Sequence, residues 1–84
     1  MNHYEVQVGK VYRITRFMLE HVVCIWLYPT CSDTELVDVC LTKGMLFLVV
    51  SKEQGQIQIL CPEGSGWLST AVFNERVFSL ELFN

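Results

Sequence analysis

Four cysteines, two histidines and nine carboxylates are the side chains with which this 84-residue chain could do chemistry. Cys24, Cys31, Cys40 and Cys61 form no Cys-x-x-Cys step, so neither a zinc ribbon nor a dithiol redox motif is signalled. An even count in a short chain also fits two disulfides, but that reading goes with a secretory leader. The opening residues MNHYEVQVGK lack the basic-then-apolar pattern of a leader. Cys24, Cys40 and Cys61 fall within apolar runs, where a free cysteine behaves as a small hydrophobe. Buried, reduced thiols are expected.

Nucleophilic catalysis needs a nucleophile, a base and a group that orients the base. The only imidazoles are His3, close to a terminus, and His21, beside a loop. Asp33, Glu35 and Asp38 could supply paired carboxylates, but Glu35 and Asp38 differ in strand parity and would not converge. They read as a solvated acidic loop. Gly64-x-Gly66 leads into a strand and not a helix, so it makes no phosphate cradle. The expectation is a protein with no catalytic residue, no metal and no cofactor.

Composition narrows the rest. A chain this short builds one core, so residues 1–84 are expected to form a single domain. With a hydrophobic fraction of 51% against 18% charged, many apolar groups must either fill a tight core or remain exposed, and a partly apolar surface would point to a partner or to self-association. The net charge is −3, and the bases are scattered apart from Lys10, Arg13 and Arg16. Nucleic-acid binding through that trio is therefore unfavoured, because backbone phosphates call for a concentrated positive field. The longest apolar stretch, Phe17 to Tyr28, is interrupted by Glu20 and His21 and is too short to cross a bilayer as a helix. A soluble cytoplasmic protein is expected.

The elements that must position these residues read as strands. Residues 5–17 alternate, with Val6, Val8, Tyr12 and Ile14 on one parity and Gly9 at a bulge or turn. Residues 22–28 (VVCIWLY) are β-branched and aromatic and stop at Pro29, favouring a strand over the competing helix across 17–28. Trp26 shares parity with Val22 and Cys24 and is assigned to the core. Leu36–Leu41 is a strand, and Met45–Val50, apolar throughout, predicts a strand covered on both sides. A hairpin tip over Ser51–Gln56 uses Gly55, and Gln56–Cys61 alternates cleanly. Pro62 to Gly66 reads as a turn, Trp67–Val72 as a strand, and Phe78, Leu80 and Leu82 as the inward face of a closing strand. Short strands with regular turns predict an all-β barrel or sandwich, and the length favours a barrel.

The run from Cys24 to Phe73 resembles an SH3-like barrel. The resemblance rests on the apolar segment Cys24–Tyr28, a polar excursion with Asp33 and Glu35, and Leu41-x-x-Gly44 followed by Phe47-x-Val49. It continues in the hairpin at Gly55 and the step Gly66-Trp67-Leu68. It implies a small antiparallel barrel over 24–84, with residues 1–23 as an added N-terminal β-hairpin. It also implies one turn of 3₁₀ helix near Ser69–Val72 before a short closing strand. The peptide groove of the polyproline-binding members is not implied. Gln56-Ile57 stands where the groove tryptophan would open the third strand, and Ser69 and Val72 replace the corner proline and tyrosine.

Functionally, the resemblance and composition imply a non-catalytic module that binds a protein partner through Tyr28, Asp33, Glu35 and Trp67. Aromatic anchors would supply the affinity, and the acidic loop would favour a basic partner. Trp67, after a glycine turn at a strand edge, is expected to be partly exposed. The stand-alone form suits an accessory or inhibitor protein of the kind phages and mobile elements carry. The alternatives are a homo-oligomeric structural subunit and a nucleic-acid-binding barrel using Lys10, Arg13 and Arg16.

Overall fold

The computed structural model describes residues 4–29 and 39–83. Among them the chain forms seven strands: β1 (Val11–Phe17), β2 (Cys24–Trp26), β3 (Cys40–Thr42), β4 (Leu46–Glu53), β5 (Gln56–Cys61), β6 (Gly64–Ser69) and β7 (Phe78–Leu82). One turn of 3₁₀ helix, Thr70–Val72, joins β6 to β7. Ser69 caps it, its hydroxyl accepting from the Ala71 N–H. The fold is all-β, and every strand pairing is antiparallel.

Five strands run in the order β6-β5-β4-β1-β7, and β2 and β3 form a separate ribbon. The ribbon is tied to the β6 edge by a bridge between Tyr28 and Trp67. The Gly44 N–H, just after β3, donates to the Ile14 carbonyl of β1 at 2.8 Å, tying the ribbon's other end to the sheet. The molecule measures 27 × 26 × 26 Å. A flat sheet is only about 10 Å deep with its facing layer, so the five strands must curl, giving a small barrel-like body.

Alternation builds the core. Tyr12 and Ile14 of β1, Phe47 and Val49 of β4, Ile57, Ile59 and Cys61 of β5, Leu68 of β6 and Phe78 of β7 are buried together with Val6, Leu27, Leu41 and Phe73. No charged or polar residue shares that interior among the described residues. Tyr4 covers one end: its ring stacks on Phe78, and its hydroxyl donates to the Phe78 carbonyl and accepts from the Leu80 N–H. Those two groups face away from β1 on an edge strand, where unpaired backbone invites another chain.

The expected all-β barrel-like architecture is present, but several local assignments change. Residues 1–23 were assigned to an added hairpin, yet β1 lies inside the main sheet between β4 and β7. Gly9, at φ 87°, turns the chain, so Val6 is buried while Val8, of the same parity, is exposed. The turn read over Pro62–Gly66 is only Pro62-Glu63, because Gly64 and Gly66 already belong to β6 and pair with Cys61 and Ile59. The β4–β5 hairpin closes on Gln54-Gly55, both with positive φ (45° and 77°), as a tight two-residue turn requires. Met45–Val50 is not covered on both sides: Phe47 and Val49 point inward, while Leu46 and Leu48 are half-buried on the outer face and Val50 is exposed.

Candidate functional site

Tyr28 and Trp67 lie far apart in the sequence and are paired in space. The Tyr28 N–H donates to the Trp67 carbonyl at 3.0 Å, and the Trp67 N–H donates to the Tyr28 carbonyl at 2.7 Å. Residues that exchange both bonds stand about 5.5 Å apart at Cα with side chains on one face. Their inward neighbours fix which face that is. Leu27 and Leu68 are buried, so Tyr28 and Trp67 project outward, each half-buried.

Close backbone packing makes this pairing. An added Cβ at Gly66 would lie 2.5 Å from Leu27 Cβ and 3.1 Å from the Tyr28 carbonyl oxygen. Only glycine lets the Leu27–Tyr28 segment come this near to β6. Trp26, two residues before Tyr28, adds a third aromatic ring to the outer side of the ribbon. It is 45% exposed, against its assignment to the core. In VVCIWLY both parities are apolar, and it is Ile25 and Leu27 that meet the core.

A second apolar surface lies around the sheet. Val11 pairs with Leu48 and Leu48 with Leu60, a row on the face opposite Tyr12, Phe47 and Ile59. With Leu46 and Pro62 these residues line a shallow groove of about 310 Å³. The apolar excess in the composition pointed to such a surface, but the continuous run Met45–Val50 hid its phase.

Of the four residues assigned to partner binding, Tyr28 and Trp67 are brought together, while Asp33 and Glu35 lie outside the described residues, as does Asp38. Lys10 and Arg16 are exposed, and Arg13 forms an ion pair with Glu81 at 3.0 Å. Among the described residues no group of three or more His, Cys, Asp or Glu side chains is placed to hold a metal ion. Nor is any helix there long and apolar enough to cross a membrane.

The thiols divide. Cys61 is buried as expected, but Cys24 and Cys40 are half-buried on the ribbon, and all three are free. Burial pushes the Cys40 thiol above its ordinary 9.0, helped by the neighbouring Cys24 thiol and by the Glu63 carboxylate. No family model, curated protein or solved structure matches the chain.

Proposed function

We propose that this chain is a non-catalytic interaction module built on an SH3-like barrel, a cytoplasmic accessory or inhibitor protein that holds a protein partner on the face of Tyr28 and Trp67. The observation that supports it most is the pairing itself: reciprocal backbone bonds hold two aromatic residues opposite one another with both side chains on an outer face. Two aromatic residues on a backbone already fixed in place suit anchors, since no backbone ordering remains to be lost on binding. The SH3-like reading draws on the order of the late elements, a Gly-Trp-Leu strand, one 3₁₀ turn and a short closing strand. Asp33 and Glu35, which follow Tyr28 closely in sequence, would select a basic partner.

Affinity capture from the native host supplies the partner, and the purified pair then supplies the test. Trp67→Ala should weaken binding by about 30-fold, the loss of an anchor worth about 2 kcal/mol. Tyr28→Ala should weaken it less, and Arg16→Ala not at all. Should both aromatic variants fold normally and bind as the parent does, another surface carries the function.

The Val11–Leu48–Leu60 row favours a second reading, a homo-oligomeric subunit joined through the outer face of the sheet. Light scattering over a wide concentration range separates the two. A mass above the monomer that Leu48→Lys abolishes supports the oligomer, and a constant monomer mass removes it.

A further inference from the structure

The two half-buried thiols of the ribbon face one another. The register sets Cys24 opposite Thr42 and Trp26 opposite Cys40. Cys24 and Cys40 are thus diagonal neighbours on one face, the one opposite Ile25 and Leu41. After burial, the neighbouring Cys24 thiol is the largest cause that raises the Cys40 thiol above its ordinary value. Both are half-exposed, whereas Cys61 is buried with 7% of its surface left, at the edge of the groove beside Leu60 and Pro62.

We propose that Cys24 and Cys40 are a modification site, a dithiol that peroxide closes into a disulfide across the β2–β3 ribbon. One thiolate attacks a peroxide oxygen; its sulfur becomes a sulfenic acid, and the O–O bond breaks to release water. The second thiol attacks that sulfur, forming the S–S bond and expelling a second water. Two thiols are oxidised by two electrons in all and one hydrogen peroxide is reduced, so no other reactant is needed.

Geometry leaves a small gap to close. Diagonal neighbours on an antiparallel ladder stand about 7–8 Å apart at Cα, and disulfides usually span up to about 6.8 Å. The ribbon can make up the difference, because its ladder is three residue pairs long and its ties to the main sheet described above, the Tyr28–Trp67 bridge and the Gly44–Ile14 bond, lie beyond its two ends. A modest increase in the twist of two short strands brings the sulfurs together. The closed ring takes in every residue from Cys24 to Cys40, including Tyr28. The inference does not depend on what Tyr28 binds.

The experiment treats the full-length reduced protein with a few equivalents of hydrogen peroxide, quenches with an alkylating reagent and maps the digest by mass spectrometry. The expected product is a monomer lighter by two hydrogens, with the Cys24 and Cys40 peptides joined, Cys61 alkylated, and full reversal by dithiothreitol. Cys24→Ser and Cys40→Ser should each abolish the product, while a Cys31→Ser variant should still form it. Links through Cys31 or Cys61, sulfinic or sulfonic acids without any link, or only intermolecular dimers would each overturn the proposal. Circular dichroism of the two serine variants guards against misfolding. If either is unfolded, the Cys31→Ser variant alone decides the question.

Discussion

Phe78→Ala is expected to remove about 4 kcal/mol of stability. Phe78 is fully buried and is the meeting point of three other rings. It stacks on Tyr4 at 6.0 Å, and it meets Phe17 edge-on at 6.5 Å and Phe73 edge-on at 5.6 Å. Emptying the site costs the transfer energy of the ring plus the cavity left behind. It also removes aromatic pairings worth about 0.5–1.5 kcal/mol each.

Four elements feel the loss at once. Phe78 pairs with Phe17 in the β1–β7 ladder, Phe73 ends the 3₁₀ turn, and the Tyr4 hydroxyl bonds to the Phe78 carbonyl. A domain of this length holds about 4–13 kcal/mol in total. At about 4–8 °C per kcal/mol, the midpoint should therefore fall by 15 °C or more. Phe78→Leu fills more of the space but gives up the same ring pairings, and should cost about 2 kcal/mol, roughly half the loss of alanine. Thermal and urea unfolding of both variants checks the contrast. Equal and small losses in the two would mean that the ring cluster is not the centre of the fold.

That cluster marks where reading the sequence succeeds and where it stops. Gln56–Ile59 alternates polar and apolar, and β5 spans Gln56–Cys61 with Leu60 as the apolar residue on its outer face. A polar outer face gives the pattern a phase, so the inward side chains can be named. VVCIWLY and Met45–Val50 have no such contrast. Both parities of each are apolar, and either could face the core, so the pattern alone does not show that Trp26 is exposed or that Leu46 and Leu48 lie on an outer face.

The place of β1 is illegible for a different reason. Its alternation shows a strand, but its neighbours β4 and β7 lie far along the chain, and nothing local distinguishes a central strand from an added hairpin. Tyr28 and Trp67 stand beside residues that punctuate the sequence, Pro29 and Gly66, which is what singles them out. The geometric cause of their pairing, a glycine under Leu27, is invisible without the packing.

Gly66→Ala is expected to cost about 3 kcal/mol, at the upper end of what one inserted methyl group does to a packed site. Gly66 is not among the residues with positive φ, so the cost is not backbone strain. It is contact. The new Cβ would sit 2.5 Å from Leu27 Cβ, 3.0 Å from Leu27 Cδ1 and 3.1 Å from the Tyr28 carbonyl oxygen. A flexible side-chain end could swing away, but a Cβ and a carbonyl move only with the backbone. The Leu27–Tyr28 segment must then retreat from β6, stretching the two bonds that hold Tyr28 against Trp67.

Stability and partner binding should therefore fall together in this variant, whereas Trp67→Ala should lower binding with a smaller change in stability. Leu27→Ala added to Gly66→Ala should give no rescue, because alanine keeps the Cβ that makes the shortest contact. The double variant should be less stable than either single one, since it also gives up a fully buried leucine. Urea unfolding with binding measured on the same samples checks each of these outcomes. A Gly66→Ala protein as stable as its parent would show that the ribbon can stand off from β6, and the aromatic pair would lose the rigidity on which its proposed role depends.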